Sequence, residues 1–460
     1  MSSLVMILLL LLLQFMMGLG LLTLWSIRLK PAMFLALAVL SGIAVCSVVP
    51  FVLQLLLVPV TSINVFVALL TTCLLLNLKF KRGRKELGGM LKESRFSIKL
   101  YEIPFLLVLA FIIFVSVWRC FYYPPTPRDF TSGTEVIAEY TVREKTMINS
   151  VFSLSLERFN NHFKSPYLIS LQVIYKYAGL PFGQVWLSNV FICFIIFVYH
   201  ALNLHLHRLL SGALLLLFLA IPEMYAYTFM VLFDYSNAVF FFLSTWFVFE
   251  YFNSGNKKHL AFAGLLMGVA TYIRSETLVL AGLLSLVIIW HQFRKGYSFG
   301  RTLLRAISFL LPSVLFYVVC IYIYINFYLP IPYNIEGLVN PHPLNPLTFF
   351  DRFLDINTEL IFSRQGINYY GYFIFFFLII FVCDIIYGRG LNKDSRNWLY
   401  GVLVIYLGMA LLGHLLPLLD IDNSTKRGLM KMFPLMLLYM GSSQLLKDVS
   451  ASIKKWEAGG

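Results

Sequence analysis

Long apolar runs, broken by short polar clusters, recur from the first residue to about residue 446. Thirteen windows stand out, at 3–26, 31–50, 60–78, 102–120, 182–203, 208–222, 236–252, 260–274, 277–292, 303–328, 370–387, 397–416 and 430–446. Most are close to the roughly 20 residues a helix needs to cross the hydrocarbon core of a bilayer. The pattern therefore predicts an all-α polytopic membrane protein with about 13 transmembrane helices. Windows 260–274 and 277–292 also read as one kinked excursion. The opening run is too long for a signal peptide, lacks a basic leader and precedes no small-residue cleavage site, so it reads as a span.

Composition supports the same class. Hydrophobic residues make up 59% of the chain and charged residues 13%, about half the charged share usual in soluble domains. The six cysteines, Cys46, Cys73, Cys120, Cys193, Cys320 and Cys383, fall in or beside apolar runs with no CxxC pair. They read as small hydrophobes.

Charge then orients the spans. With the N-terminus outside and the spans alternating, the inside segments hold 23 of the 36 Lys and Arg, while the outside segments hold 14 of the 22 Asp and Glu. The formal charge of +14 divides into about +15 inside and −1 outside. This is the bias of a chain whose basic loops stay on the cytoplasmic side, against anionic membrane lipids. The basic excess needs no nucleic acid as partner. The C-terminus is then cytoplasmic.

Two outside loops are long, about 121–166 and 328–369. The first gathers Arg128, Asp129, Glu135, Glu139, Arg143 and Glu144 within PPTPRDFTSGTEVIAEYTVRE. Ser132 and Glu135 have capping-box spacing, which predicts a helix starting at Ser132. Glu139 and Arg143 form an i,i+4 pair. Val136, Tyr140, Met147, Val151 and Phe152 recur at helical spacing, as expected of an amphipathic helix on the membrane surface. The second loop is rich in Pro, Asn and aromatic residues and includes His342. It suits sugar binding or a water-excluding lid.

More ionisable residues are expected at the same outer edge. They are Asp234 before the seventh span, Arg274 and Glu276 in TYIRSETL, and His414, Asp420, Asp422, Lys426, Arg427 and Lys431 in GHLLPLLDIDNSTKRGLMKMFP. Such groups are costly near lipid and by default mark function. Glu223, Glu276 and Lys426 also fit structural ion pairs. The chemistry implied is acid–base work on an anionic, lipid-bound substrate. Asp129 would take a proton from an attacking hydroxyl or amine. Arg427 and Lys431, one helical turn apart, would grip a phosphate. No metal cofactor is expected, because the acids are scattered. Asp420 to Asp422 is the one stretch with any cation-binding pattern.

These motifs resemble the GT-C glycosyltransferases, membrane enzymes that use polyprenyl-phosphate sugars. The lipid A aminoarabinose transferases and protein O-mannosyltransferases are the most similar in pattern. AEYTVRE (Ala138 to Glu144), KSPYLISLQVIYKYAGLPFG (Lys164 to Gly183), GVATYIRSE (Gly268 to Glu276) and KRGLMKMFPLMLLY (Lys426 to Tyr439) carry the likeness, in the family's order, across about 102–446. The resemblance implies an inverting transfer to a lipid, glycan or protein acceptor at the outer face of a bacterial inner membrane. It assigns Asp129, or else Glu135, as base. Asp234 would orient a substrate, and Arg427, Lys431 and Arg274 would bind the donor phosphate. Arg128, Glu139, Arg143, His414 and Asp422 are further site residues.

The resemblance also divides the chain into accessory helices at 1–80, a basic linker at 81–101, the core at 102–446 and a tail at 447–460. This sequence departs from the family in reading RDF where an Asp-Glu pair is usual, and in its three extra N-terminal spans. Two other readings share the spans and outer cations. One is a ligase or polymerase that takes a lipid-diphosphate oligosaccharide, and the other is a glycolipid transporter. Donor type separates the first. Midplane charges and inverted repeats would mark the second.

Overall fold

The computed structural model describes residues 3–78, 88–89, 98–122, 130–153, 165–180, 184–328, 340, 345–387, 391–416 and 419–459. Every regular element among them is helical. An N-terminal group comprises α1 (Ser3–Trp25), α2 (Pro31–Leu55) and α3 (Ser62–Leu76). α1 and α2 cross closely because Gly18 and Gly42 lack a Cβ; one at Gly18 would strike the Ala38 carbonyl, and one at Gly42 the Gln14 carbonyl.

Next come α4 (Ile103–Tyr122), α5 (Glu135–Glu144), α6 (Tyr167–Tyr177), α7 (Val185–Leu202), α8 (Arg208–Leu219) and α9 (Pro222–Ala226). α2 lies against α6 and α7, which ties the N-terminal group to the rest. The central helices are α10 (Phe233–Ser254), α11 (Lys257–Ile273), α12 (Thr277–Arg294) and α13 (Phe299–Tyr317), the last continuing as a π-helical stretch to Tyr328. α14 (Pro346–Asp355), α15 (Arg364–Tyr370), α16 (Phe373–Tyr387), α17 (Lys393–Leu415), α18 (Lys426–Leu429), α19 (Met432–Ser442) and α20 (Gln444–Gly459) complete the chain.

Each expected span holds a helix, but fewer than thirteen are both long and apolar enough to cross a membrane. Among the described residues there are seven such helices, or eight if the bent pair α15 and α16, turned by 94°, counts as one span. The other five windows correspond to α3, α8, α10, α11 and α19. α19 has 11 residues, about 16 Å at 1.5 Å per residue. α10 is long but is enclosed by protein, so it carries Asp234, Ser236, Asn237, Ser244 and Thr245 at buried positions. Windows 260–274 and 277–292 form separate helices, α11 and α12, joined at Arg274.

Contacts between helix ends sort the loops onto two faces. On one, Lys258 donates to Ser26 (3.2 Å), Arg208 pairs with Glu102 (3.4 Å), Lys447 with Asp394 (3.7 Å), and Asn392 donates to the Ser442 carbonyl (2.7 Å). α20 docks on this basic face through Glu457, which pairs with Lys99 and with His207 (3.0 Å). On the opposite face, Val60 donates to the Lys145 carbonyl (2.7 Å), Tyr328 to Leu55 (3.2 Å), Ser165 to Ile273 (3.3 Å), and Lys426 pairs with Glu223 (2.9 Å).

The first long loop differs from expectation at both ends of its helix. No helix starts at Ser132: a π-helical turn covers Phe130–Thr134 and the α-helix begins at Glu135. The capping box does not form, because the Glu135 carboxylate is drawn to Lys176 (2.5 Å) and Gln172 (2.9 Å) instead of back to the helix start. The helix ends at Glu144, where Lys145 takes a left-handed conformation (φ 62°). Met147, Val151 and Phe152 are therefore buried in the following turn and do not extend its apolar face.

Candidate functional site

Asp234 sits in the first turn of α10 and is 2% exposed. An isolated carboxylate there would be expensive, so it must be paired. Arg274 supplies the first partner. It terminates α11 in an extended conformation, which swings its guanidinium onto Asp234 Oδ1 and Glu276 Oε1. Asn237, one turn beyond Asp234, fixes the geometry. Its amide donates to the Ala270 carbonyl (2.6 Å) and to Thr277 Oγ1 (2.9 Å), clamping the ends of α11 and α12 on either side of Arg274.

The second partner comes from some 190 residues further along. Arg427 Nη1 lies 3.6 Å from Asp234 Oδ2, and its Nε donates to the Asn423 carbonyl (3.1 Å). Lys431 follows one turn later and is 1% exposed. The charges that act on it are those of Arg274, Glu276, Asp234 and Arg427. No carboxylate oxygen among the described residues lies within 4.0 Å of its ammonium group. Asp234 and Glu276 are already engaged by arginine. Among the described residues the cluster thus holds three cations against two carboxylates. Beside it, Lys426 pairs with Glu223 and stands over the Tyr369 ring (3.9 Å). Burial, and then the charges of Asp234 and Glu223, push the Tyr227 phenol well up, so it remains a proton donor.

A second charged group lies on α5 and α6. Lys176 pairs with Glu135 (2.5 Å) and Glu139 (3.2 Å), and Arg143 pairs with Glu139 (3.1 Å). Trp186 donates to Gln172 (3.1 Å), which in turn donates to Glu135. Burial raises the Glu135 carboxyl above its ordinary range against the opposing pull of Lys176. For Glu139, Lys176 and Arg143 outweigh burial and hold the carboxyl low. This group joins α5 to α6.

His414, at the end of α17, is buried and anchors the second long loop. Its Nδ1 hydrogen-bonds Thr348 Oγ1 (2.6 Å), and its carbonyl accepts from Asn340 (2.9 Å). Arg352 reaches from α14 to the Leu419 carbonyl and Thr425 Oγ1 (2.8 Å). Tyr370 donates to the Lys426 carbonyl (3.0 Å). The loop thus grips the segment that leads into Arg427 and Lys431. Leu347, Phe350 and Leu354 form an exposed apolar stripe on α14, suited to a helix resting on a bilayer surface. Asp422 is exposed at the start of this segment, and Asp420 caps it by accepting from the Ser424 N–H (2.6 Å).

Of the residues singled out in sequence, Asp234, Arg274, Arg427 and Lys431 converge, and Glu276 joins them. Glu135, Glu139 and Arg143 form the separate α5–α6 group. Arg128, Asp129 and His342 lie outside the described residues. Sequence reasoning missed Lys176, Tyr227 and Arg352. Lys176 follows an apolar stretch at the end of α6 and reads as an end-of-helix basic residue; Arg352 sits inside an aromatic run. Among the described residues no group of three or more His, Cys, Asp and Glu is arranged to hold a metal.

No family model, curated protein or solved structure matches this chain.

Proposed function

We propose that the protein is an inverting glycosyltransferase that moves a sugar from a polyprenyl-phosphate carrier to a lipid, glycan or protein acceptor. In this reading the five shorter or more polar helices also cross, giving thirteen crossings of a bacterial inner membrane. The charged cluster lies at its outer face. The observation that carries the proposal is the buried ammonium of Lys431, which has no carboxylate partner among the described residues and lies beside Arg274 and Arg427. A cation kept out of water costs stability unless it is paired, and the phosphodiester of a lipid-linked sugar, which becomes a phosphate monoester when the sugar leaves, is a ligand whose charge would compensate it.

The rest of the reaction rests on the resemblance to the GT-C transferases. An acceptor hydroxyl loses its proton to Asp129 as its oxygen attacks the anomeric carbon. The bond from that carbon to the phosphate oxygen breaks on the opposite side, inverting the centre. Polyprenyl phosphate leaves, and Arg427, Lys431 and Arg274 stabilise the charge that develops on it. Asp234 is committed to two arginines, which makes it a poor base. Its role is to hold those arginines in position. Glu135 is committed to Lys176 and organises the α5–α6 junction.

The test is reconstitution with a panel of polyprenyl-phosphate sugars and candidate acceptors, measuring release of free polyprenyl phosphate. Asp129→Asn is expected to lower the rate by about 10²–10⁴-fold, the usual contribution of a general base. Loss in Glu135→Gln with retention in Asp129→Asn would move the base. Release with none of the sugars, in the presence of acceptors, would favour the ligase or transporter readings.

A further inference from the structure

A cleft on the basic face, opposite the proposed active site, has the lining of an anion site. The end of α12 contributes His291 and Arg294, and the start of α17 contributes Lys393, Arg396, Asn397 and Tyr400. It is a shallow recess with a cavity volume of about 40 Å³, partly open to its surroundings. Lys393 and Arg294 are exposed and Arg396 is half-buried. None of the three is in an ion pair among the described residues, and Lys295 adds a fourth positive charge acting on His291. The acid on the same helix turn, Asp394, is drawn away to Lys447 (3.7 Å).

Two buried polar atoms in this lining have no hydrogen-bond partner among the described residues. Asn397 is 5% exposed and its amide Nδ2 has no hydrogen bond; His291 Nε2 also has none. The His291 ring is fixed by stacking on Phe252, with centroids 3.8 Å apart. A buried amide donor with no acceptor is costly and calls for an explanation. An anionic oxygen in the cleft would satisfy it. The mouth is lined by Trp290, 58% exposed, which shares one stripe of α12 with exposed Leu286 and Phe293. An exposed apolar stripe of this kind suits lipid contact, with an aromatic residue near the headgroups.

We propose that this cleft binds the phosphate group of an anionic phospholipid, with Arg294, Lys393 and Arg396 holding its charge and Asn397 donating to an oxygen. Basic recesses between membrane helices take anionic headgroups by the same physics. A phosphate oxygen can also come from a free phosphate, so the test separates the two sources.

The full-length protein is purified from vesicles of phosphatidylglycerol, of phosphatidylcholine, or of a mixture, and retained lipid is counted by native mass spectrometry. In parallel, inorganic phosphate binding is titrated in detergent. Wild type is expected to retain phosphatidylglycerol over phosphatidylcholine. Lys393→Ala with Arg396→Ala should weaken retention by roughly 30-fold, at about fivefold per cation near a membrane surface. Asn397→Leu should weaken it without any change in charge. Lys454→Ala with Lys455→Ala, which removes the same charge from the exposed side of α20, should leave retention intact. Phosphate binding lost in the double variant, with no lipid retained, would keep the anion site and assign it to a free phosphate. Equal retention by wild type and the double variant, or equal loss with the α20 control, would overturn the proposal. Retention is read independently of sugar transfer, so failure of one leaves the other standing.

Discussion

Lys431→Met separates a functional cation from a structural one. Methionine has nearly the volume of the lysine stem and fits the same buried position, now without a charge. Lys431 has no carboxylate within 4.0 Å among the described residues, while the Arg274–Asp234–Arg427 pairs stay complete without it. Removing an unmatched buried charge should therefore stabilise the fold by about 1–4 kcal/mol, the range found when buried ions give way to apolar side chains. Arg274→Met is the counter-case. It leaves Asp234 with one guanidinium at 3.6 Å and Glu276 with none, so it should cost about 3–5 kcal/mol. The assay is thermal unfolding in detergent with a thiol-reactive dye. Five of the six free cysteines are buried in the native state and become reactive on unfolding. Lys431→Met should raise Tm and lower transfer by roughly 10- to 150-fold, and Arg274→Met should lower both. A fall in Tm for Lys431→Met comparable with that of Arg274→Met would refute the reasoning, because it would make Lys431 a member of a structural network.

Other outcomes follow from the same structure. Lys176→Met should lower Tm, since it strips Glu135 and Glu139 of their shared partner, and it should loosen α5, read as faster proteolysis between Thr134 and Asn149. Glu457 is held down to about 2 by Lys99 and then His207. A lowered carboxylate contributes stability above its unfolded value near 4.5 and loses it as pH falls towards 2. α20 should therefore stay docked at pH 5 and release between pH 4.5 and 2, measured by protease access to its C-terminal half. Gly42→Leu should displace α1, because its side chain would run into the Gln14 carbonyl; cross-linking between α1 and α2 would report the loss. Chelation of divalent cations should leave the transfer rate unchanged; a rate that collapses with chelator and returns with one metal would contradict the assigned roles of Arg427 and Lys431.

How legible the protein was in sequence depended on the range of the interaction. Apolar runs located the helices because lipid and buried neighbours both demand apolar surface. They did not separate lipid-facing helices from enclosed ones. α10 keeps Asp234 and Asn237 inside the protein, where partners satisfy them, so its sequence is less apolar than that of a lipid-exposed helix. Local spacing anticipated the Glu139–Arg143 pair, and it placed Arg427 and Lys431 one turn apart. It misjudged Ser132 to Glu135, where the sequence matched a capping box but a distant lysine, Lys176, competed successfully for the carboxylate. The meeting of Asp234, Arg274 and Arg427 depends on helix ends 40 and 193 positions apart. Their common side was predictable from alternating spans, but their contact was not.

In the proposed reaction the Arg274–Arg427–Lys431 cluster binds the phosphate of a lipid-linked sugar. Its most direct test is the affinity for polyprenyl monophosphate, the released product, measured on wild type and on Lys431→Met. Loss of a charge-assisted contact of about 1.5–3 kcal/mol predicts roughly 10- to 150-fold weaker binding in the variant, with no loss of Tm. Equal affinity in the two proteins would contradict the account.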